Sequence, residues 1–475
     1  MRSVPWTLLT YAGNRGIGFI ASIALARLLL PSDFGLIALA NSVTLALNYL
    51  RDLGLAATII SRHDLSRHAQ GTILTMIIGL SVALGLAGFA LAPLIASLFH
   101  EADLTQVVRV FALTVCLGGF QGFGEAQLQK HLLFRERFIV LVGQAVVYAA
   151  VAVGLAAVTD LGVWCLVVGR VAMSVSGTIL AFIYAAPYWV RPGWDTDEAR
   201  DALHTSFGFL AQVLLYFIQN NSDYVIVGRF LSGTQVGLYY TAYRIAELPY
   251  SAISDPVSRV TFAAFSEMRG RGEDIRGAYL SVLRLVAVVS LPLGIVLSTA
   301  AEPFTLAVLG DKWVGMAGTL SILGLWASLY PVQNTASWLL NSSGAPGTLA
   351  KINGALYIPY VAGLVVAAKG PGIEAVAWVV VGYSLVSLGV VWLACRSRVG
   401  VRVADQVRAI WPAVVACVPA WLAGYAIAQL LQGEPWLSLL ATSAACLASY
   451  LAVLALIDFP LVKRSVGQIA RTFGR

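Results

Sequence analysis

Long apolar runs separated by short polar segments dominate the chain from end to end. A helix that crosses the hydrocarbon core of a bilayer needs about 20 predominantly apolar residues, and runs of that size recur fourteen times. We therefore predict fourteen transmembrane helices. They lie near residues 6–29, 34–60, 71–98, 104–123, 138–158, 162–187, 207–230, 237–260, 279–300, 314–340, 352–368, 373–395, 410–431 and 436–456.

Basic residues concentrate in every second loop, which fixes the predicted orientation. Cytoplasmic loops carry an excess of Lys and Arg, so both termini are expected in the cytoplasm. Two polar stretches, 127–138 and 461–475, combine an apolar stripe with basic residues. Such stretches are typical of amphipathic helices that lie on an anionic inner leaflet. A solvated linker is the alternative for each.

One short segment occurs twice in similar form. LARLLLPSDFGLIA begins at Leu25 and VGRFLSGTQVGLYY begins at Val227, so that Arg27 matches Arg229 and Gly35 matches Gly237 at an offset of 202 residues. Six helices separate the two copies, and both halves therefore enter the membrane from the same side. This is a parallel repeat about an axis along the membrane normal. The repeated segment would be the outer turn between the first two helices of each half.

The repeat predicts an all-α integral membrane protein of two parallel six-helix bundles with two further helices. We assign residues 1–188 to the first bundle, 189–203 to a cytoplasmic linker and 204–397 to the second bundle. Residues 398–475 would form the two extra helices and a basic amphipathic tail.

Composition agrees with a protein whose solvent is the bilayer. Of the 475 residues, 59% are hydrophobic and only 12% are charged, whereas soluble domains carry about 25% charged residues. The mean hydropathy is +0.80. Because the inner loops account for the net charge of +7, membrane lipids are the expected partners and nucleic acid is not. The five cysteines have no metal-like spacing, so we expect packing residues and no cofactor.

Ionisable residues inside the predicted spans are the candidate functional groups. Each costs at least about 2.5–3.5 kcal/mol at a helix centre unless it faces a wet cavity or a partner. Most of them are arginines, whose guanidinium fork binds the oxygens of phosphate or carboxylate groups in a bidentate geometry. The set consists of Arg15, Arg109, Arg170, Asp223, Arg244, Glu247 and Arg284.

Arg15, next to Asn14 at mid-span, ranks first as a contact for an anionic substrate group. Snorkelling to an interface or an intrahelical bond is the alternative for Arg15, and Arg170 and Arg284 follow it in rank. Asn41 and Asn48 stand seven residues apart on helix two. They are candidates for a polar cavity wall, although hydrogen bonds between helices would explain them too.

Two further groups concern coupling and gating. Asp223 follows the polar run QNNS and is a candidate for proton or sodium coupling, or for an ion-pair partner of a cavity arginine. Arg244 and Glu247 are three residues apart on one helix face and can neutralise each other. Arg51 and Asp52, near the inner end of helix two, are an inner-gate candidate or an ordinary charge pair.

Four motifs carry a resemblance to a known family. They are ARLLLPSDFGLIAL at 26–39, LRDLGLAATIISR at 50–62, LQKHLLFRERF at 128–138 and NNSDYVIVGRFLSGTQVGLYYTAYRI at 220–245. GDKW at 310–313 is a weaker fifth. With the six-plus-six-plus-two helix count, the chain resembles the MOP exporter superfamily, and within it the Wzx-like polysaccharide transporters similar to colanic acid exporters. Asp223 occupies the acidic position of this family's seventh-helix motif.

The resemblance implies a transporter and not an enzyme. It implies a flippase that moves an undecaprenyl-diphosphate-linked oligosaccharide across the bacterial cytoplasmic membrane by alternating access, with Na⁺ or H⁺ as the coupling ion. With such a substrate, Arg15, Arg170 and Arg284 would be contacts of the diphosphate, with Arg15 ranked first. Polysaccharide polymerase and chain-length machinery are further candidate partners. A multidrug/cation antiporter and a membrane-embedded polysaccharide polymerase or ligase are the rivals. The arginine majority argues against the first, and the short outer loops argue against the second.

Overall fold

The computed structural model describes residues 3–52, 55–62, 65–271 and 273–457. This part of the chain is helical and contains no β-strand, which confirms the predicted all-α class. Fourteen of its helices are long, and each coincides with one predicted span. They are α1 (Ser3–Leu28), α2 (Pro31–Asp52), α4 (Arg67–Phe99), α5 (Leu104–Lys130), α6 (Phe134–Val158), α7 (Val163–Ala185), α8 (Thr196–Phe230), α9 (Gly233–Gly270), α10 (Ile275–Thr299), α12 (Ala317–Ser342), α13 (Pro346–Lys369), α14 (Ile373–Val399), α15 (Val403–Leu430) and α16 (Pro435–Ile457).

Two short α-helices, α3 (Leu55–Ser61) and α11 (Ala301–Phe304), and three short 3₁₀ or π segments, Ala186–Tyr188, Thr305–Leu309 and Asp311–Met316, complete the described helices. Within the described residues, eleven helices are long and apolar enough to cross a membrane, namely all the long ones except α1, α8 and α9. By packing, the chain divides into two compact units, Met1–Gly237 and Leu238–Arg475. Helix α8 therefore packs with the first unit, and the predicted repeat boundaries stay a prediction. The predicted amphipathic tail at 461–475 lies outside the described residues.

Small residues let the helices of the first unit approach closely, as is common where lipid surrounds a bundle. A Cβ at Gly85 of α4 would lie 2.8 Å from the Ala112 carbonyl oxygen of α5. A Cβ at Gly169 of α7 would lie 2.7 Å from the Cβ of Ala152 on α6. Any larger side chain at these positions would separate the helices, and these glycines therefore position α5, α6 and α7.

The second unit is built around α10, against which α12, α15 and α16 pack. Gly294 of α10 faces Gly324 of α12 so closely that a Cβ on Gly294 would lie 2.5 Å from the Gly324 carbonyl oxygen. Buried tyrosines fix the two extra helices by hydrogen bonds. The Tyr279 hydroxyl donates to Gln406 Oε1 of α15 at 2.7 Å, and the Tyr450 hydroxyl of α16 donates to the Val288 carbonyl at 3.1 Å.

The repeated segment has the same local structure in both copies. Helix α1 ends at Leu28 and α2 begins at Pro31, while α8 ends at Phe230 and α9 begins at Gly233, so both boundaries keep the offset of 202. The Leu30 amide donates to Asp33 Oδ2 at 2.9 Å, and the equivalent Ser232 amide donates to Gln235 Oε1 at 3.4 Å. Each side chain satisfies an amide at the start of its helix.

The two copies also meet. A Cβ on Gly35 would collide with the Gly233 carbonyl oxygen, and one on Gly237 would collide with the Pro31 carbonyl oxygen. The repeated glycine is therefore required by a backbone-to-backbone contact between equivalent turns, a role that the sequence alone did not indicate.

Two predicted segments differ from the structure. The in-plane helix expected at residues 127–138 is wrong, because α5 runs to Lys130, the chain turns at Leu132 with φ 57°, and α6 begins at Phe134. A side chain with a Cβ rarely adopts a positive φ, and helices end there. The helix expected at 34–60 is divided into α2 and α3.

The linker predicted at 189–203 stays a prediction, and the structure shows that this segment is helical from Thr196. Asp195 caps this helix, since its Oδ1 accepts from the Asp197 amide at 3.0 Å and the Glu198 amide at 3.3 Å. The preceding residues pack on the first unit, where the Trp189 ring stacks on Phe182 with centroids 4.1 Å apart. The polar run WDTDEARD is a helix start with acidic residues at its positive end.

Candidate functional site

A cavity of about 560 Å³ lies within the first unit, among α2, α3, α5, α6 and α7. Its size falls in the range of about 300–1,000 Å³ that ligand pockets occupy. Its charged lining consists of three arginines and one glutamate among the described residues: Arg51, Arg137, Arg170 and Glu125. Positive charge therefore predominates among the side chains that line this cavity.

Arg51 reaches the cavity because α5 carries a glycine opposite to it. A Cβ on Gly118 would collide with Arg51 Nη1, and it would lie 3.9 Å from Asn48 Oδ1. The Arg51 guanidinium therefore lies across the surface of α5 next to the Asn48 amide, which stands one turn earlier on α2. The structure brings these two predicted residues together on one wall of the cavity.

Arg170, on α7, has a weak protein partner. Its Nη1 lies 3.7 Å from the Met173 sulfur, and the described chain gives it no carboxylate within ion-pair distance. Arg137, in the first turns of α6, has a buried Nε without a hydrogen-bond partner among the described residues. A guanidinium is costly to bury without a counterion, so both side chains favour an anion in the cavity.

Amides form the remaining polar wall. Gln121 Nε2 donates to Glu125 Oε1 and to Gln144 Oε1, each at 2.8 Å. Gly177 of α7 leaves room for this pair, because a Cβ there would collide with Gln144 Oε1. Gln121, Glu125 and Gln129 are spaced by four along α5 and line the same cavity.

Several predicted site residues lie elsewhere. Arg15, on α1, has an exposed side chain, and Asn14 next to it is half-buried. Neither is among the residues that line the cavity. Asn41, on α2, also lies off the cavity, and its Oδ1 is buried without a hydrogen-bond partner in the described part of the chain. The diphosphate contact of Arg15 and the wall role of Asn41 stay predictions.

The candidates for ion coupling are distributed over α8 and α9. Asp223, on α8, is 3% exposed. Arg244 is exposed on α9, where its Nη1 donates to the Tyr240 hydroxyl at 2.9 Å, and Glu247 follows one turn later and is half-buried.

Two further predicted residues complete the placement. Arg284 is half-buried on α10. Asp52 is the last residue of α2, and its side chain lies outside the described residues.

The second unit carries an aromatic cluster on α9 and α12. Trp326 lies at its centre, with ring centroids 4.9 Å from Tyr243 and 5.0 Å from Tyr330. Tyr250 lies 4.6 Å from Tyr330 and accepts a hydrogen bond from Asn334 Nδ2 at 3.0 Å. Rings in such tilted and stacked arrangements stabilise one another, so the cluster joins α9 and α12 within this unit.

Sequence reasoning missed Arg137 and the four amide and carboxylate residues. Arg137 was assigned to a surface helix together with its basic neighbours. The i, i+4, i+8 spacing of Gln121, Glu125 and Gln129 is a signal that could have identified a polar face on α5.

Comparison with known proteins fits this architecture. A family model described as "Polysaccharide biosynthesis protein" matches residues 24–318, which is more than half of the chain. The protein belongs to this family.

Other members and relatives of the polysaccharide biosynthesis protein family are similar over much of their length. The lipopolysaccharide biosynthesis protein WzxC of Escherichia coli (strain K12) is 24% identical over 440 residues, covering 90% of this chain and 87% of WzxC. The succinoglycan biosynthesis transport protein ExoT of Rhizobium meliloti (strain 1021) is 26% identical over 403 residues, covering 83% and 80%.

Solved structures share the fold. The lipid II flippase MurJ in an inward closed conformation aligns with a TM-score of 0.77 at 11% identity, covering 97% of this chain and all of MurJ. An inward-facing multidrug resistance MATE transporter of the MOP superfamily aligns with a TM-score of 0.63 at 15% identity, covering 81% and 94%. The MOP-like helical fold is thereby confirmed.

Proposed function

We propose that this protein is a flippase that moves a polyprenyl-diphosphate-linked oligosaccharide across the bacterial cytoplasmic membrane, with both termini in the cytoplasm. The arginine cavity of the first unit carries the proposal. Two of its three guanidinium groups, Arg137 and Arg170, have no carboxylate partner in the described chain. A diphosphate supplies the negative charge and the paired oxygens that such groups bind most strongly.

The relatives support a substrate of this kind. WzxC and ExoT are named for lipopolysaccharide biosynthesis and succinoglycan transport, and MurJ is named for lipid II. We infer that the diphosphate lies against Arg51, Arg137 and Arg170, while the amides of Asn48, Gln121 and Gln144 face the first sugars. The polyprenyl chain would stay in the surrounding lipid, and polysaccharide polymerase and chain-length machinery would use the translocated product.

The antiporter alternative has less support in this cavity. Transport of cationic drugs calls for carboxylates, and the described lining offers Glu125 against three arginines. The MATE transporter shares the fold, which does not decide the substrate.

Ion coupling is a separate part of the proposal. Asp223 is the candidate, because its carboxyl is 3% exposed within the helices and an ionisable side chain in a membrane span is costly unless it has a function there. Na⁺ or H⁺ would bind there during transport. Substrate-driven uptake of ²²Na⁺ or acidification of vesicles, lost in Asp223→Asn and kept in wild type, tests this assignment.

Deletion of the gene tests the function in cells. We expect lipid-linked oligosaccharide to accumulate in the inner leaflet and surface polysaccharide to disappear, and plasmid-borne wild-type gene to restore both. Unchanged lipid-linked oligosaccharide together with a new sensitivity to cationic drugs would contradict the flippase assignment and favour the antiporter.

A further inference from the structure

A second cavity lies in the other unit and differs in its chemistry. It measures about 200 Å³ and lies where α10, α11, α15 and the first turns of α12 and α16 meet at their ends. Since pockets for drug-sized ligands occupy about 300–1,000 Å³, this one has room for a single small group. Its place at the helix ends corresponds to the level of lipid headgroups in a bilayer.

The floor of this cavity has an unsatisfied hydroxyl. Ser438, in the first turn of α16, is 2% exposed, and its Oγ has no hydrogen-bond partner in the described part of the chain. An orphaned buried hydroxyl costs about 1–3 kcal/mol. A ligand that hydrogen-bonds to Ser438 Oγ would remove that cost.

Aromatic rings form one wall. Trp421 and Tyr425 stand one turn apart on α15, with ring centroids 5.1 Å apart and ring planes inclined by 6°. Both rings line the cavity and remain exposed. Their faces carry partial negative charge, which attracts cations within about 6 Å of a ring centre.

The charges around the cavity are negative. Glu302 lines it, and no Lys or Arg is among the described lining residues. A second carboxylate, that of Glu374, lies directly against Gly318 of the lining, where a Cβ would collide with it. A cationic group would be attracted to this cavity.

We propose that this cavity binds a primary ammonium group, as carried by the headgroup of an ethanolamine phospholipid. The ammonium donates hydrogen bonds to Ser438 Oγ and the Glu302 carboxylate while the faces of Trp421 and Tyr425 stabilise its charge. The same chemistry would accept free ethanolamine. The site is distinct from the arginine cavity, which favours anions, and it does not depend on the proposed transport function.

Native mass spectrometry of the full-length protein in detergent tests the site. The probes are phosphatidylethanolamine, phosphatidylglycerol with the same acyl chains, and free ethanolamine. We expect retention of phosphatidylethanolamine over phosphatidylglycerol by roughly tenfold, and loss of that preference in Trp421→Leu and in Glu302→Gln. Trp411→Leu is the matched control, because Trp411 is an exposed tryptophan on the same helix that does not line the cavity.

The arms of the experiment separate the two sources of the ammonium. Retention of the phospholipid that free ethanolamine at millimolar concentration does not displace assigns the site to lipid. Displacement by free ethanolamine assigns it to a soluble amine. Equal retention of both phospholipids, or a preference that survives in Trp421→Leu and Glu302→Gln, overturns the proposal. Because Trp421 and Glu302 are exposed, both variants are expected to fold, and equal melting temperatures check this.

Discussion

At Arg170 the first unit holds a guanidinium whose hydrogen bond in the described chain goes to a methionine sulfur 3.7 Å away. Sulfur is a weak acceptor, so this contact offsets little of the cost of removing the charge from water. An anionic ligand would offset much more. We therefore propose that Arg170 acts in substrate binding, and its substitution should weaken substrate binding more than it destabilises the fold.

Arg170→Gln should weaken binding of undecaprenyl diphosphate to the purified protein by about 10- to 150-fold, since hydrogen bonds to charged groups contribute about 1.5–3 kcal/mol. Arg170→Lys should recover only part of the loss, because an ammonium cannot make the paired contact. Isothermal titration calorimetry measures both affinities.

Arg109→Gln is the matched control for this measurement. Arg109, on α5, places its guanidinium carbon 5.2 Å from the centre of the Phe89 ring. It does not line the cavity. Equal affinities for wild type and Arg170→Gln would remove Arg170 from the site, and so would an equal loss in Arg109→Gln.

Part of this site could be predicted residue by residue, and part could not. Arg170 interrupts a long apolar run, and the cost of burying its charge identified it. Asn48 was identified by its seven-residue spacing from Asn41, and Arg51 by its place at the inner end of helix two. Arg137 follows other polar residues, so nothing in its surroundings distinguished it from a surface charge. Arg15 interrupts an apolar run as clearly as Arg170 does, yet its side chain is off the cavity, because hydropathy does not determine how α1 is rotated about its axis.

Among the elements, the paired turns give the clearest case of a glycine with a defined role. Gly35→Ala would place a methyl group against the Gly233 carbonyl, and separating two backbones is more costly than moving a side chain. We expect a loss of about 1–3 kcal/mol in stability, seen as a lower melting temperature. Gly79→Ala, where nothing lies within 4 Å of the new Cβ, should not lower it. An unchanged melting temperature for Gly35→Ala would mean that the turns do not pack as described.

The start of α8 gives a second test at this scale. Asp195→Ala removes the acceptor of the Asp197 and Glu198 amides, and loss of such a cap costs about 1 kcal/mol. Amide hydrogen exchange over residues 196–201 should accelerate. Asp195→Asn keeps an equivalent acceptor and should exchange as slowly as wild type, and exchange as fast as in Asp195→Ala would contradict the capping role.

Helix existence was predictable, because the need for about 20 apolar residues per span leaves little choice. Helix ends were less so. The polar sequence around Asp195 was assigned to a linker. Two hydrogen bonds to the Asp195 carboxylate show that α8 begins there. Helix α5 ends shortly before Leu132, which adopts a positive φ. Leu132 is an ordinary apolar residue, and nothing in the neighbouring sequence predicts this conformation.

At the scale of the whole molecule, the two cavities are lined by side chains of opposite charge. The first unit places three arginines around about 560 Å³, and the second places a carboxylate and two aromatic rings around about 200 Å³. The same fold thus offers one environment for an anion and another for a cation. Fold alone does not determine function, and here the side chains in the first cavity favour a diphosphate cargo.

Reconstitution tests that central claim most directly. Purified protein is placed in liposomes that carry an undecaprenyl-diphosphate-linked oligosaccharide, and the fraction of sugar reached by an external glycosidase is followed over time. Wild-type protein should bring inner-leaflet sugar to the outside, and Arg51→Gln/Arg137→Gln/Arg170→Gln should do so at least about 100-fold more slowly. Equal rates for wild type, the triple variant and protein-free liposomes would contradict the account.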